Sequence, residues 1–262
     1  MSAQDANDYR SQLEGIETDF RNVDLPRPLR EYLRVHSHTV LPLAAKLATH
    51  TNVLNAVQAI LGSNLMIWGA EFFIKEANSK KIVSMHQDLT YWGFGGTSDQ
   101  VTAWIALSSS TVESGCMELV KASHKNSILP HTDTHAENNM LSRGQEVDVD
   151  VKDVDRTPII LKPGEMSLHH GLTIHGSQEN RTDDRRIGFA IRYINPEAIQ
   201  LSKRREYAMM ARGIDTTTSF QHYAPPSASF AEPNLSLYEE IRNEQAKVLA
   251  AGMGDKSRLF SE

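Results

Sequence analysis

Apolar residues recur at intervals of three and four through the first sixty positions: Leu29, Leu33, Val40, Leu43, Ala44 and Leu47, then Val53, Val57 and Ile60. That period predicts helices, broken by Pro26 and Pro28 and ended by Gly62. From about residue 65 the period shortens to two. Ile67, Gly69, Glu71 and Phe73 fall on one face of a strand, and Trp68, Ala70, Phe72 and Ile74 on the other. The second set is wholly apolar and is expected to face packing, which turns Glu71 toward a cavity or a partner charge. Strands are also expected over Thr102–Leu107, Cys116–Val120, Thr157–Leu161, Met166–His169 and Ile187–Ile194, punctuated by Gly, Pro, Asn and Asp. The polar stretch 121–156 reads as a long irregular loop over one face. Tyr207–Arg212 and Leu235–Ala251 read as helices, joined by a Pro/Ser-rich loop at 215–233. Short strands between helical flanks predict a mainly β fold, a sandwich or jelly roll with helical support. No linker stands out, so a single domain is expected over 1–262: a helical N-terminal segment (1–62), a β core (about 65–195) and a helical C-terminal segment (196–262).

Composition narrows the function classes. The chain has 262 residues and a formal charge of −6, which argues against a general nucleic-acid binder. No run of about 18 apolar residues exists, so no membrane span is expected. The opening residues Met1-Ser2-Ala3-Gln4 show no basic segment followed by an apolar one, and a cytoplasmic protein is the expectation. The single cysteine, Cys116, cannot form an internal disulfide or a multi-cysteine metal site and reads as a small core residue. Histidine is plentiful, with 11 copies.

Candidate chemistry starts at Met85-His86-Gln87-Asp88. In an extended chain, residues i and i+2 point to the same side, so His86 and Asp88 present an imidazole and a carboxylate together. Alone, such a pair is a common chance match. A second segment supplies His175-Gly176-Ser177, and Arg186 lies eleven residues beyond His175. Two histidines and one carboxylate form the facial triad that suits non-haem Fe(II), leaving positions open for a bidentate co-substrate and O2. An arginine one strand away can clamp a remote carboxylate.

These motifs belong to a longer pattern. Tyr91-Trp92 follow the first motif, Glu113-Ser114-Gly115-Cys116-Met117 lead to Ser123-His124-Lys125, and Pro163-Gly164-Glu165 precedes His175-Gly176-Ser177 and Arg185-Arg186. Over roughly 65–195 the chain resembles the phytanoyl-CoA dioxygenase (PhyH) family of Fe(II)/2-oxoglutarate-dependent oxygenases. The resemblance implies a double-stranded β-helix, a cupin-like jelly roll with the triad at one mouth. It implies Fe(II), with 2-oxoglutarate and O2 as co-substrates. It makes His86, Asp88 and His175 the iron ligands, Arg186 the clamp on the distal carboxylate of 2-oxoglutarate and Ser177 its assisting hydroxyl. Gln87 and Trp104 fall where the family lines the co-substrate pocket, with Phe73 a further candidate from the preceding strand. Because Asp88 is intact, the chain resembles the oxygenating members rather than the halogenating ones. It departs from the family in reading Lys121-Ala122-Ser123-His124 where Pro-Gly-Ser-His is common, and in lacking a short strand before the first helix.

The implied reaction is hydroxylation of an unactivated C–H of a small-molecule substrate, a metabolite or natural product, with succinate and CO2 as co-products. A small polar or amine-bearing metabolite is preferred, since Glu71 would suit a cationic amine. Glu71 would equally suit a salt bridge with Lys75, Arg143 or Arg192. Tyr91, Trp92 and Arg192 are candidate substrate contacts, and the aromatics serve as well for packing of the site wall. Only one of the adjacent His169 and His170 can face inward, where it would hydrogen-bond a ligand or serve structure. His131 and His135 have zinc-like spacing, but Pro130 argues for a loop. Lys203-Arg204-Arg205 reads as a solvated face or a phosphate contact. Alternatives in other classes are an oxygenase acting on an acyl-CoA, a cupin-like metal-dependent non-redox enzyme, and a non-catalytic binding module. The residues do not specify an oligomeric state.

Overall fold

In the computed structural model, residues 1–94, 97–141, 144–152, 155–200 and 206–251 are described. Arg143 and Lys203-Arg204-Arg205 lie outside them. Two antiparallel-dominated sheets face one another. The larger has the order β12 (Gln221–His222), β11 (Tyr207–Arg212), β1 (Leu65–Lys75), β10 (Arg186–Ile194), β3 (Gln100–Ala106) and β8 (Met166–His169). The smaller has the order β2 (Val83–His86), β9 (His175–Ser177), β4 (Met117–Val120) and β7 (Arg156–Ile159). This is the jelly roll expected from the pattern.

Helices α1 (Ala3–Asp19), α2 (Leu29–Arg34), α3 (Pro42–Ala48), α4 (Thr51–Leu61) and α5 (Asn234–Ala251) flank the sheets. Ser2 caps α1 in a reciprocal capping box with Asp5, and Ala6, Tyr9 and Leu13 form its buried face. The largest hydrophobic cluster joins these residues, with Leu43, Leu47, Val53 and Val57, to Ala70, Phe72, Phe189, Ile191 and Ile105 of the larger sheet. The helices therefore cover the outer face of that sheet, and the inner face is left to the site. Among the described residues no helix is long and apolar enough to cross a membrane.

Three expectations change. The alternation along β1 is broken by a bulge: Ile67 pairs with Tyr193 and Gly69 with Arg192, so Trp68 is the extra residue. Ile67 then joins Ala70 and Phe72 in the helix-side core, whereas Trp68 packs with Leu89, Trp92 and Phe94 on the opposite side. Second, Tyr207–Arg212 is a strand, not a helix. It pairs antiparallel with the free edge of β1, with Met66 opposite Met210. Its apolar residues bury on alternate sides, Ala208 against Trp68 and Met209 against the helix-side core. Edge pairing overrides the helix propensity of Ala-Met-Met-Ala. The expectation of a wholly helical C-terminal segment fails there, while α5 matches it. Third, the stretch 121–156 is not wholly irregular. Strands β5 (His131–Asp133) and β6 (Gln145–Val147) pair within it. Leu129, Val147 and Val151 pack on Met85 and Ile174 of the smaller-sheet side.

His36 packs on the bulge. A Cβ on Gly69 would lie 3.5 Å from its ring, and its Nε2–H donates to Gln245 Oε1 at 2.5 Å. Burial pushes this imidazole down to about 4. Between that value and the ordinary value near 6.5, the unfolded chain holds a proton that the fold refuses, so stability falls as pH drops through this window. Replacing His36 by Gln removes that contribution. The stability difference between wild type and His36→Gln should rise with pH by up to about 1.4 kcal/mol per unit between about pH 4 and 6.5. Denaturant titrations across that range read it, and a pH-independent difference would contradict a neutral buried His36.

Candidate metal centre

Strands β2 and β9 lie side by side with His86 opposite His175 and Val83 opposite Ser177. The approach is close because residue 176 has no side chain: a Cβ on Gly176 would sit 2.7 Å from the Val83 carbonyl oxygen. The two imidazole centroids are 4.2 Å apart. Directly after β2 the chain turns into a short 3-10 segment at Asp88–Tyr91, and this brings the carboxylate back to the pair. One ligand atom from each of His86, Asp88 and His175 lies within 4.8 Å of the others, and all three residues are buried.

Hydrogen bonds define which atoms are free. His86 Nδ1 is 2.9 Å from the Ser84 carbonyl and His175 Nδ1 is 2.8 Å from the Thr173 carbonyl. A carbonyl only accepts, so each Nδ1 carries the proton and each Nε2 keeps its lone pair for a metal. Burial, reinforced by His86, holds the His175 imidazole well below its usual value, so it stays neutral. Burial alone would raise the Asp88 carboxyl. The neighbouring His86 imidazole, whose Nε2 is 3.5 Å from Asp88 Oδ1, together with His175 and Arg192, outweighs burial and holds it well below the ordinary carboxylate range. Thr102 Oγ1 donates to Asp88 Oδ2 at 3.2 Å. Two neutral imidazoles and one carboxylate are the donor set of a non-haem Fe(II) site, and the residues fit the ion.

The ligands open into a cavity of about 340 Å³. Arg186 lines it, buried, with no hydrogen-bond partner for Nε or Nη2. Burial pushes this guanidinium down to about 10. A buried cation with open donors is costly unless an anion joins it. Its carbon sits 5.3 Å from the centre of the Trp104 ring. That ring occupies space left by Gly188, where a Cβ would fall 1.9 Å from the indole. Ser177 and Phe73 also line the cavity. Behind Ser177, the fully buried Lys75 donates to Ser177 Oγ at 2.7 Å. This leaves the serine hydroxyl hydrogen free for another acceptor.

Other expected residues sort as follows. Trp92 and Arg192 line the cavity. Glu71 lines it too, in close contact with Arg192 and 4.0 Å from Arg34, which leaves it no free charge for an amine. The preference for an amine-bearing substrate loses its basis. Gln87 does not reach the cavity. It lies between two inward-facing residues, and its amide instead accepts from Leu129 N and donates to Leu172 O, both at 2.8 Å. The side chain of Tyr91 is outside the described residues. His169 faces inward, 4.8 Å from the His175 ring, with both ring nitrogens buried and unpartnered. His170 turns away and accepts from Leu172 N at 3.0 Å. His131 serves neither zinc nor loop alone, since its Nε2 accepts from the backbone N–H of Gln87 at 3.0 Å and so fixes the peptide between two ligands. Two roles were not anticipated from the sequence: Lys75 as the donor behind Ser177, and Arg34 in the cavity lining. Continuing the Glu71–Phe73 face by two residues would have found Lys75; no local pattern marks Arg34.

A model of the phytanoyl-CoA dioxygenase (PhyH) family matches residues 6–188. A probable phytanoyl-CoA dioxygenase of Caenorhabditis elegans is 28% identical over 162 residues, covering 60% of this chain and 52% of that protein. The peroxisomal phytanoyl-CoA dioxygenase of Homo sapiens is 28% identical over 137 residues, covering 51% of this chain and 40% of that protein. The chain thus spans about half the length, or less, of these two curated relatives. Among solved structures, a non-heme monooxygenase, ThoJ in its apo form, superposes with a TM-score of 0.84 at 26% identity, covering 96% of this chain and 92% of that one. CytC3 with Fe(II) and alpha-ketoglutarate shares the fold, with a TM-score of 0.57 at 19% identity over 86% of this chain and 90% of that one.

Two substitutions test the cavity without any ligand. Arg186→Met removes an unpaired buried cation, so the free protein should unfold at the same or a higher denaturant concentration than wild type, by up to about 1–4 kcal/mol. A loss of stability would show that Arg186 already has a structural partner. Gly188→Ala should displace the Trp104 indole into the cavity, costing about 1–3 kcal/mol of stability and changing the indole fluorescence; an unchanged spectrum and melting curve would contradict that packing.

Proposed function

Since the chain belongs to the phytanoyl-CoA dioxygenase (PhyH) family, we propose that it is an Fe(II)- and 2-oxoglutarate-dependent dioxygenase that hydroxylates an unactivated C–H of a small polar metabolite. Succinate and CO2 are the co-products. The observation that carries this reading is the conjunction, in one buried cavity, of the His86–Asp88–His175 donor set with the unpartnered guanidinium of Arg186. His86 Nε2, His175 Nε2 and an Asp88 oxygen would hold Fe(II). When bound, Fe(II) and 2-oxoglutarate supply the oxidative decarboxylation that activates O2 toward a C–H bond.

The chain's own residues do the rest. Arg186 offers its open donors to the distal carboxylate of 2-oxoglutarate as a planar fork. Ser177, its oxygen already accepting from Lys75, turns its hydroxyl hydrogen to the same group. Trp104 and Phe73 wall the co-substrate and keep water out. Thr102 and the two backbone carbonyls hold the ligands in the protonation state that a metal needs. The reading treats the whole chain as one oxygenase domain in the cytoplasm.

Fe(II)-loaded protein should release succinate from 2-oxoglutarate, faster in the presence of substrate from a metabolite screen. Asp88→Ala should abolish that coupled release, and retained release would sink the triad assignment. Arg186→Ala should weaken apparent 2-oxoglutarate affinity about a hundredfold; unchanged affinity would mean another residue is the clamp. Anaerobic addition of Fe(II) and 2-oxoglutarate should give a visible charge-transfer band. Its absence would favour a metal-dependent non-redox enzyme.

A further inference from the structure

Assigning the donor set to Fe(II) and Arg186 to 2-oxoglutarate leaves cavity charges without an occupant. Five arginines and three carboxylates line the cavity. A divalent cation and a dianionic co-substrate cancel, so an excess of two positive charges remains. Its location is specific. Arg192 is engaged by Glu71, and Arg242 donates to Glu31 at 2.8 Å. What is left is Arg30 and Arg34, four residues apart and therefore on one face of α2.

Arg34 is held in advance. Its guanidinium carbon lies 4.0 Å from the Phe73 ring centre, and its Nη2 donates to the Met140 carbonyl at 2.8 Å. Its nearest carboxylate oxygen, Glu71 Oε2, is 4.0 Å from Nη1, beyond hydrogen-bond reach, while Glu71 Oε1 engages Arg192. Arg34 Nη1 is buried and has no hydrogen-bond partner. Burial, with Arg192 close by, lowers its affinity for its proton, so a further anion would relieve the site. A stacked guanidinium with one edge tied to backbone and the other open is set up for a planar oxyanion.

We propose that the substrate carries a carboxylate, bound by the open edge of Arg34 with Arg30 at the outer rim. The proposal rests on the oxygenase reading above, and it replaces an amine with an acid as the recognised group. The cavity size favours a compact acid. At about 340 Å³ it lies near the lower limit of ligand pockets, and it must hold 2-oxoglutarate as well.

The test uses full-length protein with Fe(II) and saturating 2-oxoglutarate under anaerobic conditions, titrated calorimetrically with hexanoate, hexanamide, hexylamine and hexyl phosphate. Hexanoate should bind at least ~tenfold more tightly than the amide or the amine. Arg34→Gln should erase that preference while changing the 2-oxoglutarate dissociation constant less than about twofold. Equal binding of acid and amide, tighter binding of the amine, or no binding of hexanoate overturns the proposal. Tighter binding of the phosphate also overturns it and points to a phosphorylated substrate. So does an Arg34→Gln variant that loses 2-oxoglutarate instead. The same titrations on metal-free protein separate the two readings. An Arg34-dependent acid preference with no charge-transfer band means that the oxygenase reading alone fails. A band without that preference means that the carboxylate proposal alone fails.

Discussion

The pairing of β2 with β9 is the constraint on which the site depends. His86 and His175 face each other only in one register, and a slip of a single residue would send either imidazole to the far side of the sheet. The surroundings secure that register from several directions. Gly176 admits the Val83 carbonyl. His131 pins the peptide of Gln87. Ser123 Oγ accepts from Ile174 N at 2.8 Å while donating to Val120 O at 2.7 Å. This last contact supports the turn at Ala122. Ala122 takes a left-handed φ of 61°, and the hydrogen bonds of Ser123 hold the turn that places Ile174 and, with it, His175.

Stability and chemistry are divided between the two faces of the larger sheet. Its outer face carries the main hydrophobic cluster, with α1, α3, α4 and α5 packed on it. Between the sheets the apolar cluster is small, built around Trp104, Ala106, Met117 and Ala190. The remaining space is lined by charged groups, several with open donors. Such an interior opposes folding, because each unpaired cation carries a desolvation cost. The helix-side core offsets that cost. The result is a cavity whose unsatisfied groups are selective for anions, since an anion recovers what folding left unpaired.

The two-residue and four-residue periods made the helices before residue 62 and most strands legible, as did the His-x-Asp and His-Gly-Ser motifs. What failed was non-local. The bulge at Trp68 arises from the way β1 fits β10, and a strict alternation cannot anticipate it. Strand β11 is decided by the open edge of β1 rather than by its own residues. The partner of Glu71 was one of several basic residues open to it in the sequence. Only the register of Gly69 against Arg192 brings that arginine to the carboxylate. Gln87 carries a family-like position but points the wrong way, because its two neighbours take the inward side. Arg34 comes from a helix near the N-terminus, where the pattern signals only packing.

The two misread features, the bulge and β11, turn out to act together on the site. The bulge moves Trp68 out of the helix-side core, and β11 begins beside Glu206. Trp68 Nε1 donates to Glu206 Oε2 at 2.7 Å, and burial pushes that carboxyl up to about 7. The Trp68 ring stacks against Trp92 at 5.3 Å, and Arg192 lies 5.4 Å above the Trp92 ring. Arg192 in turn occupies Glu71. A continuous set of contacts therefore runs from the added edge strand to the charge balance of the cavity. If β1 kept strict alternation, Ile67 would take the place of Trp68, the Glu206 contact would vanish and Trp92 would lose its stacking partner. Arg192 would then be less firmly held against Glu71, and Glu71 would be drawn further toward Arg34, now 4.0 Å away. The anion selectivity inferred for the cavity is thus a consequence of one extra residue in one strand.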